Sequence, residues 1–225
     1  MFGMRRRTTP ASHDSPAFPS RSVRRRGATA GAVTVAAAVT LAGVLGTAAP
    51  AGAETPSRST CRGAGVDGDA LIRYRSDVVI DAPLSTVWRL QTDVERWPSW
   101  QRPVLTADRL DHGPLRAGSR FRWTTPVPAT PTTPATTLDI ASTVRALRHG
   151  GCVLWSGPAV GDGLRVDEGV HLWTFQKVRG GVRVHTEETW TGDQVEADVP
   201  LATAALGAGL ETWLRDLKAE AESRS

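Results

Sequence analysis

Cysteine is scarce in this sequence, and the scarcity closes off whole classes of function. Two cysteines among 225 residues build neither a four-cysteine zinc site nor a disulfide-dense scaffold. No metal-ligating spacing of histidine and carboxylate occurs, and no nucleophile motif. The one glycine-rich candidate for a phosphate loop, GDG at 161–163, lacks the surrounding pattern and reads as a turn. Neither a metal nor a cofactor is therefore expected. Strongly apolar runs are missing too: the longest apolar stretch, 28–49, is mostly Ala, Gly, Thr and Val, a weak anchor for hydrocarbon.

Basic charge is also short where it would matter. The formal net charge is +4 and the sequence pI about 9.8. Yet seven of the 27 Lys+Arg and one of the 23 acidic residues, Asp14, precede residue 54, leaving 20 basic against 22 acidic beyond it. The basicity belongs to the N-terminal segment, so the rest has no phosphate-tracking stripe and nucleic acid is not an expected partner.

That segment has the layout of an export signal. A basic region ends in SVRRRG, the mild apolar stretch follows, and the small-residue site AGA closes it at 51–53. Cleavage is expected after Ala53, giving a secreted protein with no stable membrane insertion. The paired arginines resemble a twin-arginine signal, although Gly-Ala stands where Phe-Leu often follows, and a Sec route remains open. Residues 54–69 read as a flexible lead-in and 70–225 as one ligand-binding domain. In an exported chain Cys61 and Cys152 are the one possible disulfide; the alternative is a buried free thiol at Cys152.

Period-two alternation marks DALIRYRSDVVI as a half-buried strand with Ile72, Tyr74, Ser76, Val78 and Ile80 on one face. PLSTVWRLQTDVERW then has helical spacing, with Ser85 or Asp81 placed to cap it and Pro98 to stop it. Further strands are expected at 104–110, 119–124, 138–147, 152–160, 164–178 and 182–191, with Gly180-Gly181 as a hairpin signal. The proline-rich 125–137 reads as a loop. Leu206, Leu210, Trp213, Leu214 and Leu217 put a long amphipathic helix at 198–225. The sum is an α+β domain: a curved antiparallel sheet of about seven strands wrapped on a long C-terminal helix, with a short helix after the first strand.

The stretches VVIDAPLSTVWRLQTDVERWPSW, LRAGSRFRW, GVHLWTF, VHTEETWTG and ETWLRDLKAEAE resemble the START-like (SRPBCC) superfamily of polyketide cyclases and dehydrases, lipid-transfer domains and plant pathogenesis-related proteins. The likeness runs from Ile72 to about Glu222. It implies a helix-grip fold, in which the long helix crosses a curved sheet over a ligand cavity. Fold alone does not choose among the superfamily's activities.

TDVERWPSWQRPV, at 92–104, places Trp97 and Trp100 on either side of a chain reversal. Alternation turns Phe121 with Trp123, Trp155, Trp173 with Phe175, and Trp190 to inner strand faces, and Trp88, Leu206, Leu210 and Trp213 to inner helix faces. These twelve residues are the expected lining of a site for a small hydrophobic molecule. They would equally make a solid core; the closing helix, LATAALGAGL, argues for a cavity, because small residues beneath large rings leave volume.

Within that lining two ionisable residues stand out. A loop at 178–181 puts His171 opposite Glu188, a candidate acid/base pair for a cyclase/dehydrase-type enzyme, or else a structural cross-strand pair. His185 and Glu187 fall on the other face and are expected to be solvated. Oligomeric state leaves no signal.

Overall fold

The computed structural model describes residues 59–130 and 133–225. The expected export signal and its expected cleavage site lie outside the described residues.

Seven antiparallel strands form one sheet in the order β1-β7-β6-β5-β4-β3-β2. They are β1 Ile72–Ile80, β2 Thr106–Arg109, β3 Arg120–Val127, β4 Thr136–Arg148, β5 Cys152–Gly161, β6 Leu164–Val178 and β7 Gly181–Thr191. Helix α1, Leu84–Thr92, and a 3-10 helix, Val94–Ser99, join β1 to β2, and α2, Asp193–Glu196, leads into the long α3, Val199–Ser223. The sequence meanders from β2 to β7 through adjacent hairpins and returns to β1 at the far edge. Irregularities at Val144/Ala146 and Gly157/Ala159 are the local bends that let long strands curl around a helix. At Gly157 the neighbouring strand comes so near that an added Cβ would lie 1.8 Å from the Ala141 carbonyl oxygen.

Helix α3 is fixed at its start by Asp198, whose carboxylate accepts the Leu201 N–H at 3.0 Å. Helix α1 begins differently from expectation: Pro83 is the N-cap and neither Ser85 nor Asp81 caps it. Pro98 does not end a helix either. The α-helix is over by Asp93, and Pro98 sits inside the following 3-10 turn, where the ring's fixed φ is tolerated. The proline-rich segment is shorter as a loop than expected, because β3 runs on through Pro126. Beyond Thr124, β2 no longer pairs with β3, so the N–H that Pro126 lacks would have had no ladder partner on that side.

The lead-in, expected to be flexible, packs on the outer face from its first described residues. Cys61 is fully buried and lies in a small cluster with Ala146, Cys152, Leu154 and Leu172. A disulfide joins Cys61 to Cys152, Cα to Cα 5.5 Å. The Arg73 guanidinium donates to the Gly68 carbonyl and pairs with Glu187. His185 and Glu187 do face outward, yet Glu187 is only 2% exposed, because Arg73 and the lead-in cover it. No described helix is long and apolar enough to cross a membrane.

Candidate functional site

Two hydrophobic clusters fill the space between α3 and the concave sheet face. The larger holds Trp88, Trp97, Trp100, Phe121, Trp155, Trp173, Phe175 and Trp213, with Trp123 packed against it. The smaller holds Ile72, Leu138, Ala159, Leu206 and Leu210, with Tyr74, Ile140 and Trp190 against it. All twelve expected lining residues therefore reach the interior, but they divide between two groups.

In the larger group the rings meet one another rather than an open space. Trp97 lies 5.5 Å from Phe121, 5.9 Å from Trp123, 5.8 Å from Trp155 and 5.0 Å from Trp213, centroid to centroid. Its indole N–H donates to the Gln91 carbonyl, and none of its surface is exposed. Trp97 therefore closes the core and does not wall a cavity; Trp100, 6% exposed, sits beside it. The glycines of α3 do not open volume either. Gly207 lets the helix settle on Tyr74, whose Cε2 would lie 2.7 Å from an added Cβ, and Gly209 faces open space.

Between the clusters runs a polar seam. His171 pairs with Glu188 in the β6–β7 register, as expected, and the turn between them is Arg179–Gly180, tighter than the four-residue loop but in the same register. His171 Nδ1 lies 3.0 Å from Glu188 Oε2, and His171 Nε2 lies 2.7 Å from Thr186 Oγ1. The Trp190 indole N–H donates to Glu188 Oε1 at 2.8 Å. Trp173 and Trp155 flank the imidazole, their centroids 4.8 Å and 5.2 Å away. Thr186 was not anticipated, although alternation places it on the same face as Glu188.

Burial sets the charge of this seam. It pushes the His171 imidazole down to about 3, so the ring is neutral, and pushes the Glu188 carboxyl up to about 7, against the lowering effect of the Trp190 hydrogen bond. With neutral histidine, Nδ1–H donates to the carboxylate and the Thr186 hydroxyl donates to Nε2. His171 is 4% exposed and both its nitrogens are occupied, so its part is to hold Glu188. Glu188 keeps 16% of its side chain exposed, against 5% for His171.

Entry has a place. On the concave face Trp123, Ile140, Gly157, Gly169, Glu188 and Trp190 are all only partly buried, although their neighbours in both clusters are sealed. Gly157 and Gly169 put no side chain over this strip. At its edge the Tyr74 hydroxyl donates to Glu211 of α3 at 2.9 Å. The Trp173 indole N–H, in a residue with no exposed surface, has no hydrogen-bond partner among the described residues. A separate groove of about 1320 Å³ opens on the outer face, lined by Arg122, Pro126, Asp139, Pro158 and Val160 among others. None of the expected site residues borders it.

Residues 72–222 match the family described as polyketide cyclase / dehydrase and lipid transport. Among solved structures, a START superfamily protein from Mycobacterium smegmatis is 12% identical, with a TM-score of 0.56 over 68% of this chain and 99% of that one. TTHA0849 from Thermus thermophilus is 18% identical, with a TM-score of 0.53 over 68% and 99%. The di-domain ARO/CYC StfQ of the steffimycin biosynthetic pathway is 17% identical, with a TM-score of 0.51 over 68% of this chain and 52% of that one. No curated protein matches the chain. At these identities the structures share the helix-grip fold and nothing finer. The family match covers most of the sequence, so the chain belongs to the polyketide cyclase / dehydrase and lipid transport family.

Proposed function

We propose that this protein binds a small, largely apolar or aromatic molecule on the concave strip between its two core clusters. The observation that carries the reading is Glu188: a carboxylate fixed by two neutral donors, partly exposed, on a strip otherwise built of rings, glycines and Ile140. A polar group costs free energy to bury and is retained where it orients something. The reading places the ligand beside Trp190, Tyr74 and Glu188, away from the sealed rings around Trp97.

Export completes the proposal. The disulfide supports an oxidising compartment, and the N-terminal signal layout supports secretion. Native mass spectrometry of the protein from its own host is the direct test: a retained small molecule released by Glu188→Gln supports the reading, and an empty protein that gains no thermal stability with any hydrophobic ligand overturns it. A bound ligand at 100 times its dissociation constant would add ~2.7 kcal/mol.

A second reading is favoured by one observation, the Glu188 carboxyl raised to about 7, which poises it to give or take a proton near neutrality. In that enzyme Glu188 is the acid/base group and His171 positions it. Turnover of a bound carbonyl compound that Glu188→Gln abolishes would separate this from simple binding.

A further inference from the structure

The polar inventory of the strip narrows the ligand further. Glu188 receives hydrogen bonds only from uncharged donors, the Trp190 indole and the neutral His171 ring. On the neighbouring strand its register partner is Tyr74, and Tyr74 is bonded in turn to a second carboxylate, Glu211. No arginine or lysine among the described residues pairs with either carboxylate.

Several of the cations and acids nearby in sequence are engaged elsewhere. On β1 and β7, Arg73 pairs with Glu187 and Asp77 with His185, all on the outer face. On β6, Arg165 pairs with Asp167, and Glu168 lies 3.8 Å from Arg145. On α3, Arg215 bonds Thr212. The α2 carboxylate of Glu196 accepts the Gly192 N–H. The groups that face Glu188 are thus His171, Tyr74 and, through Tyr74, Glu211; the Tyr74 phenol is held above its usual range by its bond to Glu211 and stays protonated.

We infer that the strip selects an organic ammonium compound, its charged nitrogen set between Glu188 and Glu211 and its apolar body against Tyr74 and Trp190. This rests on the binding reading above and names the class of molecule. Carboxylates supply the attraction, and an ammonium over the face of Trp or Tyr gains a further cation–π contribution. An anionic ligand would meet two like charges with nothing to offset them, and a neutral one would leave Glu188 without a countercharge. Beside His171, the buried Trp173 indole N–H has no hydrogen-bond partner among the described residues.

The test uses the mature protein and three probes of one shape: 1-naphthylmethylamine, 1-naphthalenemethanol and 1-naphthoate, titrated calorimetrically at pH 6, 7 and 8. The amine stays protonated throughout, while Glu188, near 7, goes from about one-tenth to nine-tenths ionised. The expected result is amine affinity rising roughly tenfold from pH 6 to 8, alcohol affinity unchanged, and naphthoate weakest. Glu188→Gln should remove the pH step and reduce the preference for the amine while leaving the alcohol's affinity in place. Glu211→Gln, at the partly buried edge of the strip, should weaken the amine alone and guards against a misfolded Glu188 variant. Equal, pH-independent binding of amine and alcohol overturns the ammonium assignment and leaves the binding reading standing. Binding of none of the three overturns both.

Discussion

His171 and Glu188 lie directly opposite each other on β6 and β7, imidazole Nδ1 3.0 Å from carboxylate Oε2, and burial moves their proton affinities in opposite directions. Glu188 is raised from 4.5 to about 7, so it contributes stability that is complete below pH 4.5 and lost as pH rises through 7. His171 is lowered from 6.5 to about 3, so its contribution is present above pH 6.5 and lost as pH falls toward 3. Between pH 4.5 and 6.5 the two slopes oppose and nearly cancel. Urea denaturation of the wild type should therefore give a flat profile across that window. Glu188→Gln should expose the histidine slope, with stability falling by ~1.4 kcal/mol per pH unit on acidification. His171→Gln should tilt the profile the other way by a similar amount. Parallel profiles in all three proteins would show that the pair does not titrate as described.

The register that makes this pair was legible in the sequence, because alternation on two strands and a glycine turn fix which residues oppose. The depth of the interior was not. Alternation says which face a ring takes, and it says nothing of whether the opposite wall is another ring or empty space. Trp97 and Trp213 come from segments more than a hundred residues apart, and only the folded chain shows them in contact. Gly207 misled for the same reason, since a glycine that admits a tyrosine ring reads like one that leaves a gap. The lead-in lacks periodicity, and its packing depends on a covalent link and on Arg73, neither of which leaves a local pattern.

Trp97 gives a direct measure of that correction. As a sealed ring in contact with four others, Trp97→Ala should cost ~3 to 5 kcal/mol, a large fraction of a domain's stability. A residue lining an open cavity would cost far less and would change ligand affinity instead. Chemical denaturation of the variant distinguishes the two, and a loss under about 1 kcal/mol would reopen the cavity.

The disulfide spans 91 residues of sequence, and chain entropy alone assigns such a loop ~4 to 5 kcal/mol, an upper figure. Both sulfurs are buried, Cys61 at 0% and Cys152 at 1% exposed, so the native protein should resist mild reductant. The double variant Cys61→Ser, Cys152→Ser should fold with a clearly lower Tm. Thiol counting on the unfolded, non-reduced protein should find none; two would show that the bond does not form.

Two glycines in one helix should respond to the same substitution with opposite signs. At Gly207 an added methyl would lie 2.7 Å from Tyr74 Cε2 and 2.9 Å from Cδ2, closer than packed carbons come. The ring is itself tied to Glu211, so it is not free to swing away. Gly207→Ala should therefore push α3 off the sheet at a cost of ~1 to 3 kcal/mol. It should also weaken any ligand held beside Tyr74. Gly209 meets nothing within 4 Å and lies in the helix interior, so Gly209→Ala should stabilise by ~0.5 to 1 kcal/mol through helix propensity alone. Thermal melts of the two single variants read both signs in one experiment. If Gly207→Ala also stabilises, the small residues of α3 lie over open volume after all, and the close seat of helix on tyrosine is wrong.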